Sequence, residues 1–328
     1  MNNKPLIIVL GEPYSTFSEI VFKLFKSKLI NNYNRPIVLI GSIKLLQKQM
    51  SKLKYRFNIN KIDLSRVDKE KLNNKCINII NVEFNFKKVF DKISSKSNNY
   101  IKNSFDIALS LLRNKKAYAM INGPISKKHF LKKKYLGITE YLSKKSKVNK
   151  NGVMLIYNPD FSVCPVTTHL PINNVSKKIT SKEIIRSIWE INNFFKSHLK
   201  KKPIFAVLGL NPHCETINKF SEEEKIIKPA IKNLLKNKIS VKGPFPADTF
   251  FSKKNMTEFD VVIGMYHDQV LTPMKTLYNF DAINVTLGLP FIRVSPDHGT
   301  NNKMIGKNDS NPRSLFSSID FFKRINEN

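Results

Sequence analysis

Short apolar runs separated by amphipathic helices constrain this chain more than any other feature. Pro5–Leu10, Pro36–Ile40, Ile77–Val82, Ala117–Ile121 and Ile204–Leu210 are largely apolar and of strand length. A strand apolar on both faces needs cover on both faces. Between these runs, Ser18–Leu29, Ile43–Leu53, Phe105–Leu112 and Ile184–Phe195 carry helical spacing. Further strands are predicted at Val153–Tyr157, Val163–Val166, Val261–Gly264, Ala282–Val285 and Phe291–Val294, and further helices at Glu222–Leu235 and Pro312–Ile325. The alternation predicts an α/β protein with a parallel sheet between helical layers. At 328 residues the chain is long enough for one large domain or two of ordinary size.

Charge is the feature that would redirect this reading. There are 56 Lys and Arg against 25 Asp and Glu, a net +31. Such a balance suggests a nucleic-acid or anionic-membrane partner. Nearly all of it is Lys, however, and sites on nucleic acid favour the planar, bidentate Arg. Asn and Ile are abundant beside the Lys, as in Ile77-Asn78-Ile79-Ile80. We read the charge as compositional bias and do not expect nucleic acid as a partner. Cys76, Cys164 and Cys214 form no close pair, which fits a reducing cytoplasm. Leu6–Leu10 is too short for a signal core and runs into Gly11-Glu12-Pro13. No stretch approaches the ~20 apolar residues of a membrane span.

Histidine is scarce, with six in all, so their settings can be compared. His129 and His198 stand in Lys-rich, surface-like helical contexts. The other four, His169, His213, His267 and His298, follow strands or sit in loops rich in turn residues. Ligands of open parallel sheets bind beyond the C-terminal strand ends. Three neutral imidazoles converging there make a divalent-metal site with positions left for substrate. The spacings are too long to form a motif, so satisfied loop histidines remain the other reading. His298, followed by Gly299 and a polar loop, is a candidate on the cofactor side. Lys275 and Arg293 are candidate anion binders, Arg293 the better placed because it follows an apolar strand.

Several ordered segments extend this picture: Asn122-Gly123-Pro124-Ile125-Ser126-Lys127, Gly243–Thr249, Met265–Pro273 and Asn284–Thr300. Together they resemble the family of 4-hydroxythreonine-4-phosphate dehydrogenases of pyridoxal phosphate biosynthesis, from Gly11 to about Pro312. The resemblance implies two α/β/α lobes of the isocitrate/isopropylmalate dehydrogenase type with an interdomain active-site cleft. The first lobe would comprise residues 1–126 and 277–328, on the cofactor side. Residues 127–276 would form a central lobe carrying the metal ligands and the dimer contact. It also implies a homodimer with a shared active site and a small, anionic, phosphorylated substrate.

The family's metal ligands fall on His169, His213 and His267, and its substrate contacts on Thr139, Lys275, Asn284 and Arg293. Zinc is the first expectation for the metal, with magnesium, manganese or cobalt also compatible. The implied reaction is oxidation of a secondary alcohol by NAD or NADP, giving a β-keto acid that loses CO2. Asp248 is read as a catalytic group that handles a proton or orients a ligand, and Lys275 as catalytic besides binding substrate. The cofactor loop would be His298, Gly299, Thr300 and Lys303.

Three positions depart from the family pattern. After Gly11-Glu12-Pro13 the family's Gly-rich loop is replaced by Tyr14-Ser15-Thr16-Phe17-Ser18, so Tyr14 or Phe17 is expected to fill space. Its Gly-His-Thr-Glu becomes Gly137-Ile138-Thr139-Glu140, which removes a substrate hydrogen bond. Lys303 stands where Asp is usual, and a Lys there attracts the 2′-phosphate of NADP. Ile138 keeps open a related oxidative decarboxylase acting on a sugar-acid phosphate or a cyclic diol carboxylate. A non-catalytic basic binding protein is a further alternative, opposed by the retained histidines.

Overall fold

The computed structural model describes residues 4–327 apart from 32, 68, 133, 149–151, 216, 280 and 297. The strands among them are β1 (Leu6–Val9), β2 (Ile37–Gly41), β3 (Ile59–Lys61), β4 (Ile77–Asn81), β5 (Ala119–Asn122), β6 (Val153–Tyr157), β7 (Ser162–Thr167), β8 (Phe205–Leu208), β9 (Val241–Phe245), β10 (Val261–Tyr266), β11 (Ile283–Leu287) and β12 (Ile292–Pro296). Helices alternate with them, so the α/β class follows the periodicity. The chain divides into two compact units, Met1–Lys150 with Leu289–Lys323, and Asn151–Gly288 with Arg324–Asn328.

In the first unit the strand order is β3-β4-β2-β1-β5-β12, all parallel. β1 and β2 read LIIV and IVLIG and are buried at every residue, as strands covered on both faces must be. The helix Asn98–Arg113 sets Tyr100, Ile101, Phe105, Ala108, Leu109 and Leu112 against Ile7, Val9, Val38 and Ile40. Tyr141 and Leu142, from the helix Ile138–Lys145, join this same cluster. That burial places residues 127–150 with the first unit rather than with a central lobe.

The second unit has the order β11-β6-β7-β10-β8-β9. β7, β10, β8 and β9 are parallel, but β6 is antiparallel to both β7 and β11. The expectation of a wholly parallel sheet is therefore corrected to a mixed one. Residues 158–161 are the whole connection from β6 to β7. So short a link allows only a hairpin, because a parallel return needs a dozen or more residues. β11 pairs with β6 across its full length, which keeps residues 283–287 in this unit. β9 runs into the segment Gly243–Thr249. Gly243 has φ +136°, and a Cβ there would stand 2.4 Å from the Val207 carbonyl oxygen. Only glycine allows β9 that close to β8. Among the described residues no helix is long and apolar enough to cross a membrane.

Candidate functional site

The second unit brings three histidines to one sheet edge. β7, β10 and β8 are parallel neighbours, so their C-terminal ends lie on the same side. His169 follows β7, His267 follows β10, and His213 lies in the loop after β8. Thr167 Oγ1 donates to the Met265 carbonyl at 2.7 Å, which ties the first two strand ends together. The rings of His169 and His267 then lie 5.9 Å apart. Two imidazoles on one tetrahedral ion have centroids roughly 5 Å apart, given metal–nitrogen lengths of ~2 Å. His267 Nδ1 is 2.6 Å from Asp268 Oδ1, an arrangement that orients the ring and leaves Nε2 for a ligand bond. These side chains line a cavity of about 320 Å³ with Thr168, Leu170, Ile172, Val175 and Tyr266.

His213 reaches this edge by topology, but its side chain does not complete the set. Among the described residues no three His, Cys, Asp or Glu side chains are placed to hold a metal ion. The donor chemistry and the His169–His267 pair nevertheless suit a divalent ion. The His213 loop is strained: His213, Cys214 and Glu215 have φ of 53°, 61° and 32°. Such backbone persists only where its surroundings hold it. Glu223, fully buried, accepts from the N–H groups of Leu210 and Asn211, both at 2.8 Å. Burial pushes the Cys214 thiol up, and Glu223 and Asp248 add to the shift. The charge of Asp248, exposed on the short helix Ala247–Phe250, therefore reaches this loop.

Lys275 and Asn284 also belong to the second unit. Lys275 is exposed on the helix His267–Tyr278, which His267 begins. Asn284 lies on β11, and its Oδ1 is buried with no hydrogen-bond partner among the described residues. Thr139 and Arg293 are in the first unit. Thr139 is half-buried in the first turn of the helix Ile138–Lys145. Arg293 on β12 is wholly enclosed, and its Nε donates to Asn122 Oδ1 at 2.6 Å. Burial pulls its guanidinium down to about 9, while the charge of Glu140 opposes the shift.

A profile described as "Pyridoxal phosphate biosynthetic protein PdxA" matches residues 32–322. The chain belongs to the PdxA family. It is 36% identical to a 4-hydroxythreonine-4-phosphate dehydrogenase of Sulfurihydrogenibium over 96% of each chain. A candidate D-threonate 4-phosphate dehydrogenase of Oceanobacillus iheyensis is 31% identical over 97% of each. The crystal structure of a 4-hydroxythreonine-4-phosphate dehydrogenase from Klebsiella pneumoniae superposes with a TM-score of 0.84 at 25% identity, covering 98% of this chain and 99% of that one.

Among PdxA proteins, this chain's departures take definite shapes. Tyr14 is buried edge-on against Phe84, at 5.8 Å between ring centres, and Phe17 is fully buried with its ring 6.0 Å from His298. Both fill space, as the lost glycines predict. Gly11 keeps a left-handed φ of +72°, and a Cβ there would meet the Pro124 oxygen at 2.6 Å. Ile138 packs its side chain on the core cluster that holds Phe105 and Tyr141. In the loop after His298, the Thr300 carbonyl accepts from Thr16 N–H at 3.3 Å, and Thr300 Oγ1 donates to Asn302 at 3.1 Å. Lys303 is exposed in the turn Asn302–Met304, Gly299 has open space around it, and Asp297 lies outside the described residues.

Glu12 carries no role in the sequence reading, yet it is 2% exposed. Burial pushes its carboxyl up to about 7, against Ser97 Oγ, which donates to it at 3.1 Å. An acid set between an apolar strand and Pro13 is the signal that marks it.

Proposed function

We propose that this PdxA-family chain is the NAD(P)-linked, metal-dependent dehydrogenase of 4-phosphohydroxy-L-threonine. The product is a β-keto acid that decarboxylates to 3-amino-2-oxopropyl phosphate, on the route to pyridoxal 5'-phosphate. The observation that carries this reading is the 36% identity, over 96% of each chain, to a relative that bears the activity's name. The two-lobed isocitrate-dehydrogenase type of fold, the homodimer and the cytoplasmic setting belong to the same proposal.

His169, His213 and His267 would hold the divalent ion, zinc in our reading. When bound, such an ion lowers the pKa of a substrate hydroxyl and stabilises the enolate charge that forms as CO2 leaves. Asp268 keeps His267 oriented for that role. Asn284, whose buried Oδ1 has no partner among the described residues, offers an acceptor to a substrate ammonium or hydroxyl. Lys275 and Arg293 neutralise substrate anions, and Thr139 supplies a hydroxyl. Asp248 takes a proton or orients the His213 loop. His298, Gly299, Thr300 and Lys303 cradle the nicotinamide cofactor, which supplies the hydride acceptor, and Lys303 favours NADP.

The test is formation of reduced nicotinamide from 4-phosphohydroxy-L-threonine with NAD and with NADP, before and after chelation. Turnover abolished by chelation and restored by zinc is the expected result. No turnover with either cofactor under any metal would end this reading. A sugar-acid phosphate substrate is the second reading. Ile138, which cannot hydrogen-bond, and the Oceanobacillus relative support it. D-threonate 4-phosphate is therefore the comparison substrate for the same assay.

A further inference from the structure

Left-handed residues shape the loop after His298: Asn301, Gly306 and Asn308 have φ of 49°, 77° and 59°. Such backbone persists only where its surroundings hold it. The tip of the loop gains little from packing, since Asn301, Asn302 and Lys303 are exposed and Gly299 stands in open space. The hold comes from the first helix, Phe17–Lys26. Glu19 and Lys23 form an i,i+4 pair at 2.9 Å, with the Glu19 side chain 2% exposed and that of Lys23 22%. On an open helix face such a pair is worth little. Here it grips the loop. Glu19 Oε1 accepts from Ser310 N–H at 2.6 Å. Lys23 Nζ has three protons and a partner for each: Glu19 Oε1, the Ser310 carbonyl at 2.7 Å and the Asn308 carbonyl at 3.2 Å. The N–H and the C=O of Ser310 are thus both held by side chains of one helix. Tyr55 adds a bond from its hydroxyl to Asn308 Oδ1 at 2.9 Å. At the other end of the loop, Thr16 N–H meets the Thr300 carbonyl.

We propose that Lys23, through its pair with Glu19, is the positioning residue that holds the loop 298–310 in the shape that receives the nicotinamide cofactor. This rests on the reading above of His298, Gly299, Thr300 and Lys303 as the cofactor loop. Lys23 bonds to Asn308 and Ser310, beyond Lys303, so it works through the loop and not on the cofactor. With Thr300 tied at one end and Ser310 at the other, the exposed stretch between them is ordered before a ligand arrives. Binding then costs less conformational entropy than it does for a loose loop. Glu19 makes the ammonium hard to replace. Its Oε2 is buried with no hydrogen-bond partner among the described residues, so Lys23 is the cation that balances the carboxylate.

The test is binding of NADH and of NADPH by the full-length protein, read from nicotinamide fluorescence. Hydrogen exchange over residues 298–310 and thermal unfolding are measured beside it. Lys23→Met keeps the stem and removes the donors. The double variant Glu19→Gln with Lys23→Met also removes the buried charge, and it carries the test should Lys23→Met not fold. His298→Ala and Lys303→Asp probe the loop itself. We expect both Lys23 variants to raise the Kd of each cofactor roughly tenfold, as for a loop in its binding shape about a tenth of the time. Amides of residues 298–310 should exchange faster in the same variants. Faster exchange or a lowered unfolding temperature with unchanged Kd assigns the pair a merely structural role and overturns the proposal. Weaker binding with unchanged exchange in the loop overturns it too, because the effect then does not run through the loop. If His298→Ala or Lys303→Asp changes cofactor binding while both Lys23 variants bind like the parent, the proposal fails and the cofactor loop stands. If the parent binds neither NADH nor NADPH, or both loop variants bind like the parent, the cofactor-loop reading fails and takes this inference with it.

Discussion

Arg293 Nε donates to Asn122 Oδ1 at 2.6 Å, and both side chains are shut away from solvent. The two residues come from the neighbouring parallel strands β12 and β5, where Arg293 stands opposite Met120. A guanidinium in this setting is tolerated only while its donors are met. Removing the acceptor leaves a charged donor stranded. Asn122→Ala should therefore lower stability by about 1–3 kcal/mol, read as a lower urea midpoint at unchanged slope. A loss below about 0.5 kcal/mol would show that Arg293 does not depend on Asn122.

Glu12 gives the protein a pH dependence of unusual sign. Burial raises its carboxyl from 4.5 to about 7, so between those values the folded state binds more protons than the unfolded one. Its contribution is complete below the unfolded value and is lost as the pH rises through about 7. Glu12→Gln removes this dependence. Relative to the parent, the variant should gain up to about 3 kcal/mol between about pH 4.5 and about pH 8. Urea unfolding across that range decides it, and parallel profiles for the two proteins would refute it.

The strands with continuous apolar runs were legible because burial on both faces leaves no other pattern. β1, β2 and β8 follow directly from Leu6–Val9, Ile37–Gly41 and Phe205–Leu208. β9 was not, because Gly243 and Pro244 are turn residues that an edge strand also accepts. The helix His267–Tyr278 was hidden as well, since it begins on the polar His267-Asp268-Gln269 and contains Pro273. For the site, strand-end and loop position singled out His169, His213, His267 and His298, and only the family resemblance narrowed the expected metal ligands to the first three. What binds those strand ends together could not be read. Gln269 and Glu223 act through backbone groups of residues distant in sequence, and no local pattern marks such bonds.

Asp268 offers a test of the metal site that leaves its ligands in place. It is largely exposed, so its loss costs the fold little, yet its carboxylate meets His267 Nδ1 at 2.6 Å. Asp268→Asn should weaken zinc binding roughly ten- to a hundredfold at unchanged thermal stability. Zinc affinity equal to the parent's would mean that the carboxylate does not orient the ring.

Lys303 stands exposed in the turn Asn302–Met304, the loop proposed to cradle the cofactor. An ammonium there attracts a 2′-phosphate that a carboxylate would repel. Lys303→Asp should lower the ratio of kcat/KM for NADP over NAD by roughly tenfold or more, the value of one charge-assisted hydrogen bond. A parent enzyme that strongly prefers NAD, or a ratio unmoved by the substitution, would remove Lys303 from the cofactor site.

Ile138 opens the helix whose next residue is Thr139, and its side chain serves the core cluster around Phe105 and Tyr141. Under the proposed function, packing and substrate recognition compete at this position. Ile138→His exchanges apolar burial for a ring that can donate to a phosphate or carboxylate. It should lower KM for 4-phosphohydroxy-L-threonine by roughly five- to a hundredfold, the equivalent of ~1–3 kcal/mol. The same change should lower the urea midpoint, because a half-buried aliphatic side chain is lost from the cluster. The two effects separate the substrate hypotheses. If KM falls for 4-phosphohydroxy-L-threonine, the site is the expected one with a contact missing. If KM for that substrate stays high while D-threonate 4-phosphate is turned over by the parent and lost in the variant, Ile138 is a specificity residue for the sugar-acid phosphate.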